Sequence, residues 1–190
     1  MSSNFYQNDN CRSFKTDFNN SKRDCCQDGG KHPDVKGVIL VCGKRFNETI
    51  EDVEVDDLPT NPIVLARVTI DTACLCKPIV KIDFSTILQI STDDTPSIVL
   101  VFALVRTCNS TREILERYRL KFKAFPGFAQ IEEEERIFAF TFCDDEFSCH
   151  RDCCFYTVEL ISATGTEDND LRQFENRNTA INAIAQGLCD

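Results

Sequence analysis

The run Ile98-Val99-Leu100-Val101-Phe102-Ala103-Leu104-Val105 and the stretch Glu116-Arg117-Tyr118-Arg119-Leu120-Lys121-Phe122-Lys123-Ala124-Phe125 decide how this chain folds. The first is continuously apolar and much too short for a membrane helix, so it reads as a strand covered on both faces, a central one. In the second, charged and apolar residues alternate with period two. One face of that strand is then basic, carrying Arg117, Arg119, Lys121 and Lys123, and the other is apolar. Its Phe and Tyr content favours sheet over helix. Cys108-Asn109-Ser110 supplies the turn between the two runs.

The flanking sequence continues in the same style. Val38 to Cys42 is a short β-branched run, and Pro62 to Ile70 is a longer one. The acidic stretch from Glu48 to Pro59 reads as a loop or a weak edge strand. Cys74-Leu75-Cys76-Lys77-Pro78 interrupts the chain before a half-alternating strand from Ile79 that extends toward Ile90. Asp93-Asp94-Thr95-Pro96 is turn chemistry. Downstream come an acidic run expected as solvated loop (Glu132 to Glu135), alternating Ile137 to Phe142, and the strand Phe155 to Ile161. A turn is expected at Ala163 to Thr166, and residues 177–186 fit a short helix or a last strand equally well. Seven or eight strands with short turns and no long amphipathic helix predict an all-β fold, a jelly-roll-like β-sandwich of about eight strands. Fifteen Phe fit a dense two-sheet core. The sandwich domain is expected over residues 36–190.

Residues 1–35 differ. They are polar, hold no period, and end at Asp28-Gly29-Gly30. This reads as a flexible N-terminal arm with a Gly hinge, and it carries Cys11, Cys25 and Cys26. The formal net charge is −10, which makes the chain a poor partner for nucleic acid or an anionic membrane surface. Its longest apolar stretch is about half of the roughly 20 residues that a spanning helix needs. The opening MSSNFYQNDNC has no apolar core of the kind a secretory signal peptide requires. No GxSxG, HExxH, phosphate-binding loop or GxGxxG occurs. His32 and His150 are the only histidines, and a thiol near His150 arises easily by chance, so no enzyme and no catalytic residue is expected.

Twelve cysteines in 190 residues, about 6%, exceed what an ordinary cytosolic domain carries. They include two vicinal pairs, Cys25-Cys26 and Cys153-Cys154. Vicinal cysteines seldom bond to each other because the small ring is strained, so each seeks a separate partner. On a mobile arm such a pair can grip two sites at once, and sites on other copies would give a covalent polymer. A contact that does not close gives a filament, and free sheet edges can add strand pairing between subunits. The plain alternative is that every cysteine pairs within its own chain. Cys74, Cys76, Cys108, Cys143, Cys149, Cys153 and Cys154 are expected in disulfides, and no resident metal or cofactor is expected. The rival reading is an intracellular metal-binding module holding zinc or copper through Cys74, Cys76, Cys143, Cys149, Cys153 and Cys154. It is weakened because no CxxC pair occurs.

The stretch Asn61-Pro62-Ile63-Val64-Leu65-Ala66-Arg67-Val68-Thr69-Ile70-Asp71-Thr72-Ala73-Cys74-Leu75-Cys76-Lys77-Pro78-Ile79-Val80-Lys81-Ile82-Asp83-Phe84 and the closing Ile181-Asn182-Ala183-Ile184-Ala185-Gln186 resemble a cysteine-rich domain of uncharacterised function from clostridial spore formers. The resemblance covers about residues 36–188. The overall plan is similar to that of endospore appendage subunits, jelly rolls preceded by a connector with a Cys-Cys motif. That resemblance implies a structural subunit of a disulfide-linked, pilus-like fibre or spore-surface layer, exposed by lysis of the mother cell. It implies Cys25 and Cys26 as the connector pair, Cys11 as the lone connector cysteine, and Cys42 and Cys189 as acceptors. The expected partner is further copies of the same chain in a helical fibre.

Overall fold

The structure, a computed structural model, describes residues 38–47, 49–53, 58, 60–72, 75, 78–92, 96–108, 110–145, 153–165 and 171–187. The arm, with Cys11, Cys25 and Cys26, lies outside these residues. Among the described residues ten strands form: β1 (Val38–Cys42), β2 (Lys44–Arg45), β3 (Thr49–Val53), β4 (Ile63–Asp71), β5 (Pro78–Ser91), β6 (Ser97–Cys108), β7 (Thr111–Lys123), β8 (Glu134–Asp144), β9 (Cys153–Gly165) and β10 (Leu171–Gly187). There is no helix among the described residues.

The pairing is nested. β6 pairs with β7, β5 with β8, β4 with β9 and β3 with β10, all antiparallel. The chain is thus a long two-stranded ribbon whose tip is the β6–β7 turn, where Ser110 takes a left-handed φ of 70°. Rolling the ribbon adds the pairs β10·β5 and β9·β6. The first sheet then reads β1-β10-β5-β8 with β3 also on β10, and the second β2-β4-β9-β6-β7. This is a jelly roll, two sheets closed over one core.

Alternation decides what fills that core. β5 buries Val80, Ile82, Phe84, Leu88 and Ile90, and β6 buries Ile98, Leu100, Phe102 and Leu104. Rings from both sheets meet between them. Phe138 of β8 lies 4.9 Å from Phe102 of β6, and Phe84 is 5.6 Å from Phe138, centroid to centroid. Tyr118 stacks on Phe140 at 4.2 Å, closing the side of the sandwich between β7 and β8. Aromatic pairs at such spacings add about 0.5–1.5 kcal/mol each beyond their buried area.

Some expectations are corrected here, and two that were open are resolved. Among the described residues the strands number ten rather than about eight, because the first long strand of the roll is broken into β1, β2 and β3. The acidic stretch after Glu48, expected as a loop or a weak edge strand, contains the edge strand β3, whereas β9 runs through Gly165, where a turn was expected. Glu134 and Glu135 open β8 rather than lying in loop. Residues 177–186 are strand, since Ile181, Ala183 and Ala185 alternate inward. A bulge between Arg177 and Ala180 breaks the regular period there, with Asn178 at φ 51°. Its polar groups are satisfied by a relay. Asn176 Nδ2 donates to Thr179 Oγ1 at 2.9 Å, the Thr179 and Thr86 hydroxyls lie 2.8 Å apart, and Thr86 Oγ1 donates to the Arg177 carbonyl at 3.1 Å. Asn176 also donates to the Phe46 carbonyl, tying β10 to the residue after β2.

Gly43 is where the chain crosses from one sheet to the other. Its N–H donates to the Ile181 carbonyl at 2.8 Å, just after Cys42 pairs with Asn182. A Cβ there would stand 2.5 Å from the Arg67 carbonyl oxygen and closer still to Ile181 Cγ2. Gly43→Ala should therefore cost about 1–3 kcal/mol by overpacking, measured as a lower denaturation midpoint. Gly127 is the opposite case: a Cβ there meets nothing, but its φ of 94° is left-handed, so Gly127→Ala tests backbone strain without overpacking.

Candidate functional site: surface thiols and a cross-sheet clamp

One pole of the sandwich gathers strand ends from both sheets. Pro78 pairs with Gly187, Val38 with Gln186, Val80 with Asp144, Asp71 with Cys153 and Cys108 with Cys154. The chain joins β1 at this pole from the N-terminal side. Cys74 and Cys76, between β4 and β5, Cys149, between β8 and β9, and Cys189, after β10, lie outside the described residues, as do His32 and His150. Cys153 begins β9, but its side chain is also outside them. The strand ends that flank all of these are at this pole.

Among the described cysteines the structure separates a bonded pair from exposed free thiols. Cys108 and Cys154 face each other across β6 and β9 and are joined by a disulfide, with Cα atoms 4.5 Å apart. That is the spacing of a non-hydrogen-bonded antiparallel pair. Cys42 and Cys143 are free and exposed. Cys42 is on β1 and Cys143 on β8, the two outer strands of the first sheet. Of the six thiols in the metal reading, Cys154 is therefore spent on Cys108 and has no thiolate to offer. No cluster of three metal-type ligands occurs among the described residues.

Beside the disulfide the two sheets are clamped by charge. Arg106 of β6 donates from Nη1 to both Asp144 oxygens of β8 at 2.8 Å, and from Nη2 to Glu113 at 2.7 Å. Tyr156 of β9 donates its hydroxyl to Asp144 Oδ2 at 2.8 Å. Asp144 is 2% exposed and Arg106 12%, so neither charge is well solvated. Burial opposes the Arg106 charge, but the hydrogen bond to Glu113 and the Asp144 carboxylate outweigh it, and its pKa is raised. Burial, then the neighbouring Asp144 charge, push the Tyr156 phenol up. These four residues were not singled out in the sequence. Their one local signal is a lone charge at the end of an apolar run, Arg106 after Val105. A shallow pocket of about 150 Å³ opens beside the clamp and is lined by Glu113, Leu115, Phe142, Cys143, Asp144 and Asp145.

The expected basic face is present, with Arg117, Arg119, Lys121 and Lys123 all exposed along β7. The acidic run reaches only its end, where Lys123 N donates to Glu134 at 3.2 Å.

Fold and sulfur placement define a jelly-roll β-sandwich protein with an internal disulfide and thiols on its outer strands. The chain belongs to the DUF4489 family, a domain of unknown function, which matches residues 36–186. No curated protein matches. Among solved structures, the chain is similar to one of infectious bursal disease virus, Gx strain. The TM-score is 0.43 at 9% identity, over 78% of this chain and 32% of that one. It is also similar to the Eiger TNF of S. frugiperda, with a TM-score of 0.36 at 11% identity over 80% and 94% of the two chains. This chain thus spans about a third of the viral chain and nearly all of the second.

Two outcomes follow from this geometry. Arg106→Met leaves a buried carboxylate with less compensation and should cost about 3–5 kcal/mol. Tyr156→Phe, which keeps the Arg106–Asp144 pair, should cost roughly 1 kcal/mol in the same denaturant titration. Tyr118, desolvated and close to Glu116, has its pKa raised to about 12 from 10.0. The folded state then favours the neutral phenol. The contribution is fully present below pH 10 and is lost as pH rises through about 12. Tyr118→Phe should flatten the fall in melting temperature over that window.

Proposed function

We propose that this chain is a non-enzymatic structural subunit that assembles with copies of itself into a disulfide-crosslinked extracellular fibre or spore-surface layer. The observation that carries this reading is the division of sulfur: one pair is spent on a bond within the chain, while Cys42 and Cys143 stand exposed and free on the outer strands. An internal bond stiffens a building block, and a surface thiol is available to another chain. Cys11, Cys25 and Cys26 of the N-terminal segment are the donors in this reading, and Cys42 and Cys189 the acceptors. Free sheet edges supply the non-covalent contact. A sandwich with its core bonds already made would survive desiccation and heat while linked to its neighbours.

The full chain, oxidised in air and boiled in detergent, should run as a ladder without reductant and as a monomer with it. Cys25→Ser/Cys26→Ser should shorten the ladder strongly. A monomer in both lanes for the unmodified chain contradicts the reading.

A further inference from the structure

The first sheet has outer strands at opposite sides, β1 and β8, each paired on one side only among the described residues. Edge strands normally discourage further pairing by presenting charge. β2 presents Lys44 and Arg45, β3 presents Glu51, and β7 presents Arg117, Arg119, Lys121 and Lys123, all exposed. β1 does not. Its outward row is Val38 (61% exposed), Leu40 (65%) and Cys42. The upper part of β8 does not either, since its outward row is Ile137 (80%), Ala139, Thr141 and Cys143. The two edges with the least outward charge thus belong to the same sheet and lie at its two sides, β8 keeping Glu135, paired with Arg177, at its start.

Strand direction makes them compatible. Neighbours along β1-β10-β5-β8 are antiparallel at every step, so β8 runs antiparallel to β1. A second copy placed beside the first in the same orientation sets its β1 antiparallel to β8, and the alternation continues unbroken. From this we infer that β8 of one copy pairs with β1 of the next, extending the first sheet from molecule to molecule. The inference deepens the self-assembly reading and rests on it. The contact joins two different surfaces and does not close, so it propagates as a linear array.

The rows within one copy set the register. Leu40, Ile184, Lys81 and Cys143 share one outward row, and Cys42, Asn182, Asp83 and Thr141 share the next. Continuing those rows puts Thr141 opposite Cys42 of the second copy and Cys143 opposite its Leu40. Ile137 shares its row with Ile87 and Arg177, which has no partner on β1 or β3. Its exposed side chain falls at the notch between those two strands of the next copy. Because the side-chain period is two, a slip of one residue would turn these rows inward and is excluded.

A cysteine scan of β8 in the full chain tests the join. Cys143→Ser is combined with Thr141→Cys or with Ala139→Cys, and equal amounts of isotope-labelled and unlabelled chain are mixed with oxidised glutathione. Each new bond removes two protons and two electrons from two thiols, and the glutathione disulfide takes them up as two thiols. Mixed-mass peptides linking Cys42 to position 141 should exceed those to position 139 by about tenfold, because a pair of residues two places out of register is too far apart to bridge. Leu40→Lys, with folding checked by circular dichroism, should abolish the array. Dominant linkage of Cys42 to native Cys143 supports the same edges with a two-residue slip. Assembly without any mixed-mass link from Cys42 to β8, or assembly unchanged by Leu40→Lys, overturns the edge assignment and leaves self-assembly standing. No assembly of the unmodified chain under these conditions overturns the self-assembly reading itself.

Discussion

Backbone hydrogen bonds from β10 hold both flanks of the first sheet. One side of this strand pairs with β5 along nearly its whole length, and the other pairs with β1 near its end and with β3 near its start. Buried backbone groups must be paired, so a strand that serves three partners has to be long and has to tolerate an irregularity where they change over. The bulge after Arg177 is that irregularity. The relay through Asn176, Thr179 and Thr86 satisfies the polar groups it frees, inside a region with almost no solvent. Gly43 meets the same demand from the other side, where the chain leaves β1 for the second sheet with no room for a side chain.

The two lateral sides of the sandwich are closed differently as a result. On one side the chain weaves from the first sheet through β2 to the second and back to β3, so backbone itself seals the gap. On the other side β7 and β8 face each other as full-length outer strands, and rings seal the gap instead, Tyr118 against Phe140. The disulfide and the Arg106–Asp144–Tyr156 clamp add a third closure at the pole where the strand ends collect. Neither the clamp nor the disulfide is needed to define the topology. Both resist separation of strands already placed by the hydrophobic core, and buried charge of this kind stabilises only while each partner stays in position.

That rigidity bears on the function proposed. A building block that links to copies of itself must present its reactive groups in fixed positions, and loops do this less well than strands. Cys42 and Cys143 sit on strands, facing outward, at the two sides of one sheet. The charges on β2, β3 and β7 leave those sides as the edges least protected against pairing.

Local residue pattern is enough to specify the class of fold and most of its strands. Ile98 to Val105 had to be central because both its faces are apolar, and Arg117 to Lys123 had to expose a basic row because its period is two. These signals are local, carried by neighbouring residues. Residues 177–186 stayed ambiguous because a bulge shifts the period within the strand, and β3 could be read as loop or edge strand because acidic residues suit both. The sulfur pairing was illegible for another reason. Cys108 and Cys154 are 46 residues apart in sequence, and only the register of β6 on β9 makes them neighbours. The same holds for Arg106 and Asp144, whose partnership exists because two sheets face each other. Which edges lie free, and that Cys42 and Cys143 occupy opposite ones, was decided by the order of strands, a long-range property of pairing that no window of sequence contains.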